Sequence, residues 1–308
     1  MKQRLFCLIF ALILLLPSCA SPRSAFANDG RVKITATLFP HYDFARVIGA
    51  ERVQVIKLLP SGGESHTFEP SAEDILTVSD SDLFLYTGEA MEPWAKTMLD
   101  GIDAPPQALD LSASVSALAH KEQDHDHAPD PHIWLNPTYA IAMVQAVCDA
   151  LISIDPAGKE IYRKNTDDYI LQLQEIDRTL SAIASECEGK TLVFGGRFAF
   201  THLCDAYGFS HVSAYRGCDV EAEPSAADIA AVIDFVKENK VKYIFKEEMV
   251  NPQSVKTIAS ETGASALLLH SCGLRPSLRL SPLPCQPQAH GARLCLGGRG
   301  IRDGIRRP

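Results

Sequence analysis

The segment DPAGKEIYRKNTDDYILQLQEIDRTLSAIASECEG, residues 155–189, decides the fold. Asp155-Pro156 reads as a cap followed by proline at the first helical position, and Gly189 reads as a stop. Between them Tyr162, Tyr169, Leu173, Ile176, Leu180 and Ile183 recur at spacings of 7, 4, 3, 4 and 3, one apolar stripe along one helical face. At about 1.5 Å per residue such a helix is on the order of 40 Å long. It is long enough to tie two lobes together as a rigid strut.

On either side, short apolar runs alternate with helical patterns. Residues 32–39, 53–58, 83–87 and 108–111 read as strands, with helices expected at 71–79 and 138–152. A second set of strands is expected at 191–194, 210–215, 243–245 and 266–269. Strands alternating with helices imply parallel sheets covered by helices. The fold expected is α/β: two lobes with mainly parallel four-stranded sheets, joined by the one long helix. An internal repeat supports this. Glu69-Pro70-Ser71-Ala72-Glu73-Asp74-Ile75 recurs as Glu223-Pro224-Ser225-Ala226-Ala227-Asp228-Ile229, each with Ser placed to cap a helix and Asp in its first turn. The division expected is an export segment at 1–27, an N-terminal lobe at 31–155, the linking helix at 156–189, a C-terminal lobe at 190–272 and an atypical tail at 273–308.

With 308 residues, 46% hydrophobic and 22% charged, the composition excludes a disordered, collagen-like or membrane-spanning protein. A net charge of -9 argues against a nucleic-acid binder. At the N-terminus, Lys2 and Arg4 precede the apolar run LFCLIFALILLL at 5–16. That run is short of the roughly 20 residues of a spanning helix and fits a secretion signal. Leu16-Pro17-Ser18-Cys19 resembles a lipobox, with Cys19 as the lipidated residue, and Ala25-Phe26-Ala27 is an alternative A-x-A site. Either way the working protein is expected outside the cytoplasm. Of nine cysteines, Cys148, Cys187 and Cys204 lie in apolar helical contexts and read as core residues. Cys218 and Cys272 stand at strand ends, and are expected to be close enough for a disulfide or for a metal role.

Histidines carry the chemistry. His66 lies in the 60–70 loop, after a strand and before a capped helix, where α/β sheets place ligands. His132 is held in Asp130-Pro131-His132-Ile133-Trp134-Leu135-Asn136-Pro137, between two prolines and beside Asp130 or Asn136 as orienting partners. Upstream, residues 120–127 form a His/acid tract, a solvated loop by composition and a weak metal collector at most. In the second lobe Glu247 and His270 each follow a strand and can face the same cleft. Phe194-Gly195-Gly196-Arg197 reads only as a glycine turn. No G-x-S-x-G, Walker A, H-E-x-x-H or G-x-G-x-x-G motif occurs.

Residues 32–272 resemble the metal-specific solute-binding proteins of bacterial ABC importers, the zinc and manganese type. The resemblance rests on the His66 loop ending in Glu69-Pro70, the 130–137 segment, the His/acid tract, the long helix, Ala206-Tyr207-Gly208-Phe209 and Glu223-Pro224-Ser225. It implies one transition-metal ion held between the lobes and handed to a membrane permease. It places His66 and His132 on the first two ligand positions. The third histidine of the family falls on Arg197, which cannot bind a metal cation, and His202 lies five residues later. The last ligand, usually Asp, falls near His270, and Glu247 matches a family acid. The metal set expected is therefore His66, His132, Glu247 and His270. Imidazole-rich ligation favours zinc, with manganese the alternative. The protein is expected to be a monomer and not an enzyme. The rival classes are an extracytoplasmic zinc hydrolase and a metal-storage or adhesive surface protein.

The tail departs from everything before it. Residues 273–308 contain seven Arg, no Lys, one acid, five Pro and six Gly, a net of +6 that leaves -15 for the rest. Such a composition cannot build a packed helix. Out-of-frame translation near codon 273 is the expectation, in place of a last helix that the resembling family has.

Overall fold

The computed structural model describes residues 24–60, 62–119, 130–187, 191–215, 224–247 and 253–271. In the first lobe the strands β1 (Val32–Ala36), β2 (Val53–Lys57), β3 (Leu83–Tyr86) and β4 (Gln107–Asp110) form an all-parallel sheet in the order β2-β1-β3-β4. Helices α1 (Phe39–Gly49), α2 (Ala72–Ser79), α3 (Pro93–Asp100), α4 (Ser116–Ala119) and α5 (Pro137–Ile154) accompany it. The linking helix α6 spans Lys159–Glu186. The second lobe repeats the topology. Its strands β5 (Thr191–Phe194), β6 (Ser210–Ser213), β7 (Tyr243–Lys246) and β8 (Ser265–Leu268) are parallel, in the order β6-β5-β7-β8. Helices α7 (Thr201–Tyr207), α8 (Ala226–Glu238) and α9 (Gln253–Thr262) lie between them.

Period-two alternation makes each sheet two-sided. In β3, Leu83 and Leu85 enter the main core while Phe84 packs on the opposite face with Val78, Ala95 and Met98. In the second lobe Phe194 and Phe245 join the main core, whereas Val193 and Ile244 pack with Val232, Val236, Val255 and Ile258. The main core is thus shared. It runs from Ile34 and Leu85 through Met143 and Val147 of α5 and Tyr169, Leu173 and Leu180 of α6 to Phe194 and Leu269. By length and composition α5 is apolar enough to cross a membrane, but nine of its residues are buried, eight of them in this core.

The repeated segments form the same device twice. Ser71 accepts from the Asp74 amide and Asp74 accepts from the Ser71 amide, a capping box that Ser225 and Asp228 duplicate at α8.

Local expectations are corrected in four places. The strand expected at 32–39 stops at Ala36, because α1 opens at Phe39 with Pro40 in its first turn, a helix the strand-like alternation concealed. The helix expected from Pro156 begins with a 3-10 turn, Pro156–Gly158, and Asp155 does not cap it by side chain. Its carboxylate instead accepts from Arg52 at 2.7 and 2.9 Å and from the Tyr162 hydroxyl at 2.6 Å. The buried stripe of α6 ends on Ala184, with Ile183 only half-buried. Cys148 and Cys204 are buried thiols as expected, but Cys187 is disulfide-bonded, to a partner that is not among the described residues. Residues 1–23 of the export segment expected at 1–27, the His/acid tract, Cys218, Cys272 and the tail lie outside the described residues.

Candidate metal site

In sheets of this order the central strands β1 and β3 part company at their carboxyl ends, and the crevice there accepts ligands. Four buried residues line it: Thr37 and Thr87, just past β1 and β3, His41 of α1, and Glu92 ahead of α3. Gly88, at φ 106°, makes the turn that brings Glu92 back under Thr87. The Thr37 hydroxyl donates to Glu92 Oε1 at 2.6 Å, and the Thr87 amide donates to Oε2 at 2.9 Å. Having given its proton to Glu92, the Thr37 hydroxyl accepts from His41 Nδ1 at 3.0 Å, so the Thr87 hydroxyl donates to His41 Nε2 at 2.9 Å. Burial pushes His41 down to about 3, which keeps its ring neutral. Burial also raises the Glu92 carboxyl to about 8, against the hydrogen bonds from Thr37 and Thr87. Neither His41 nor Glu92 stands out in the sequence. They come from separate segments that only the sheet order brings together.

His66 rides on the loop between β2 and α2. Trp94 Nε1 donates to the Ser65 carbonyl at 2.8 Å, and Phe68 meets the Trp94 ring edge-on at 5.0 Å. His132 caps a 3-10 turn, Ile133–Leu135, that leads into α5. The two imidazoles face one another with ring centroids 6.1 Å apart.

Asp130 fixes the second ring. Its Oδ1 accepts from His132 Nδ1 at 2.7 Å and from the His132 amide at 3.0 Å. A carboxylate acceptor places the proton on Nδ1 and leaves the Nε2 lone pair for a cation. Burial works to raise the Asp130 carboxyl, but the charge and hydrogen bonds of His132 outweigh it and hold it well below the usual carboxylate range. Asp130 also reaches the second lobe. Its Oδ2 accepts from the Thr201 amide at 3.1 Å, and its carbonyl accepts from His202 Nε2 at 2.6 Å. Trp134 Nε1 donates to the Ser271 carbonyl at 2.7 Å, a second stitch across the lobes. His202 is therefore spent on joining the lobes.

The residues of the second lobe stand at the matching strand ends. Arg197 follows Gly195 and Gly196 after β5, Glu247 follows β7, and His270 lies two residues past β8. Arg197 is more than part of a glycine turn: its Nη1 donates to Glu64 Oε2 at 3.1 Å, across the lobe boundary and two residues from His66. The fold brings His66 and His132 together. It leaves Glu247 and His270 at the ends of neighbouring strands, and among the described residues no three His, Cys, Asp or Glu side chains converge as a closed metal site.

A family model described as ZnuA, zinc-uptake complex component A periplasmic, matches residues 34–278. The high-affinity zinc uptake system protein ZnuA of Bacillus subtilis (strain 168) is 34% identical over 282 residues, covering 85% of this chain and 86% of that protein. The zinc-binding lipoprotein AdcA of Streptococcus pneumoniae (strain ATCC BAA-255 / R6) is 32% identical over 268 residues, covering 83% of this chain and 52% of AdcA, so the chain spans about half the length of that relative. The solved Zn(II)-bound ZnuA-like domain of Streptococcus pneumoniae AdcA superposes with a TM-score of 0.65 at 31% identity, covering 79% of this chain and 89% of that one. With two like-wound lobes, a shared linking helix and a family match across both, the chain belongs to the ZnuA family of periplasmic zinc-uptake components.

Proposed function

We propose that this protein is an extracytoplasmic receptor that captures one zinc ion between its lobes and delivers it to the membrane permease of an ABC importer. The observation that carries this reading is the pair of imidazoles 6.1 Å apart, one with its tautomer set by Asp130. With Zn–N bonds of about 2.0–2.1 Å, two tetrahedral imidazole ligands place their centroids roughly 5 Å apart. The pair needs to close by only about 1 Å, a side-chain adjustment. Glu247 and His270 are the further ligands offered by the second lobe, and imidazole-rich ligation favours zinc over manganese.

A carrier is favoured over a hydrolase by Asp130, the carboxylate beside His132. It already accepts hydrogen bonds from His132 and from α7, so it is not available as a base toward bound water. The proposal includes export, a lipid anchor through Cys19, a monomeric state and the division into lobes at 31–155 and 190–272 about the linking helix.

His66→Ala and His132→Ala are each expected to weaken zinc binding at least tenfold, about 1.4 kcal/mol. Competition of the metal-free protein against a chromophoric chelator measures this. Wild-type affinity in both variants would end the reading. Stimulation of the cognate permease's ATPase by the zinc-loaded protein tests delivery.

A further inference from the structure

Lobe one offers zinc two imidazoles, and a tetrahedral ion wants more. One carboxylate lies on the same loop as His66 and is held at the lobe boundary. Glu64 Oε1 is 3.4 Å from the His66 amide, and Oε2 takes the hydrogen bond from Arg197 at 3.1 Å. The side chains of Arg197 and Glu64 are 22% and 36% exposed, so solvent reaches the pair without drowning it. Gly62, at φ 88°, and Gly63 precede Glu64 and give that end of the loop a backbone free to re-aim the side chain.

Arg197 keeps its proton and, from the opposite lobe, holds one oxygen of Glu64, two residues from His66. A carboxylate has two oxygens and can serve two positive partners at once.

We infer that Glu64, rather than Glu247, supplies the carboxylate ligand of the zinc site, and that Arg197, bound to its other oxygen from the opposite lobe, is the residue that sets the affinity. This rests on the reading of the histidine pair as a zinc site. In the metal-free protein Glu64 faces Arg197. On zinc capture one carboxylate oxygen turns to the ion while the other keeps the guanidinium. Arg197 draws charge away from the ligand oxygen and so loosens the grip on zinc. A histidine in the place of Arg197 would tighten it and add a third imidazole.

The test uses the metal-free full chain, zinc competition against a chromophoric chelator, and zinc K-edge absorption to count imidazole ligands. Glu64→Gln is expected to weaken zinc binding at least tenfold. Arg197→Ala is expected to tighten it about fivefold or more, and to lose that gain when combined with Glu64→Gln. Arg197→His is expected to tighten it and to raise the imidazole count from that of wild type by one. Melting curves of the metal-free variants serve as the control for folding, and Glu64→Ala replaces Glu64→Gln should the latter melt early. Wild-type affinity in both Glu64 variants overturns the inference, as does a gain from Arg197→Ala that persists without Glu64. If His66→Ala still abolishes tight binding in that case, the zinc reading stands and only the role of Glu64 falls. A wild-type chain that binds no zinc removes both.

Discussion

The two lobes share strand order, parallel register and a duplicated capping box, yet the matching crevices are built from opposite materials. In lobe one the ends of β1 and β3 carry Thr37 and Thr87, which enclose a neutral His41 and a Glu92 raised to about 8. In lobe two the end of β5 is a glycine pair whose carbonyls accept from Ser254 and Ser213, at 2.7 and 3.1 Å. Behind it Phe194 packs against Phe198, Phe200 and Phe245, with centroids 4.9, 5.3 and 5.8 Å away. One lobe holds its crevice with a buried polar network, the other with aromatic packing and, at the rim, the ion pair of Arg197 with Glu64. Topology dictates where a ligand can sit. Side chains alone decide what it can be.

The sharpest way to break the comparison is to strike what the lobes share. Leu173 is buried in the core common to both, so Leu173→Ala is expected to cost about 4 kcal/mol, in the range of buried Leu truncations. Denaturant unfolding, followed by hydrogen exchange in both sheets, should show protection falling in both. Loss confined to one sheet would mean that the lobes do not share stability.

The polar network of lobe one makes a prediction that lobe two cannot match. The Glu92 carboxyl is raised in the folded state, so the stability it contributes is fully present below the unfolded value and is lost as pH climbs toward about 8. Between pH 5 and pH 8 this amounts to about 3 kcal/mol. Glu92→Gln removes the titration, with its amide oxygen facing the Thr87 amide and its nitrogen facing Thr37. The variant should therefore show a flatter pH–stability curve than wild type. An unchanged slope would show that Glu92 does not titrate in this window.

The smallest effect compares like with like. Ser71→Ala and Ser225→Ala each remove an N-cap and are expected to cost about 1 kcal/mol, with exchange quickening only in α2 or only in α8. Unequal costs would measure how differently the two lobes lean on the same device.

Much of this architecture was legible in the chain. The stripe at Tyr162, Tyr169, Leu173, Ile176 and Leu180 is buried as its spacing requires, and both Glu-Pro-Ser segments open helices. The helix α1 was missed, since the alternating segment from Val32 to Phe39 looks the same whether the chain stays extended or turns at Thr37. His66 and His132 were legible because loops and prolines isolate them. The network around Glu92 was not, since its partners lie 5, 51 and 55 positions away and only folding makes them neighbours. The sequence offered Asp130 or Asn136 to orient His132, and the structure selects Asp130, while its grip on α7, 71 residues on, was hidden.

The core that threads both lobes has a mechanical consequence. Prising the lobes apart like jaws would bring Phe194, Tyr207 and Leu269 into water together with the faces of α5 and α6 they cover, at about 25 cal/mol for every Å² of apolar surface wetted. On the proposed reading, zinc enters and leaves past the side chains at the rim, where the loop that carries Glu64 and His66 meets the second lobe. On that reading the shared core keeps the lobes together, and the work of unloading is done on the rim by the proposed permease.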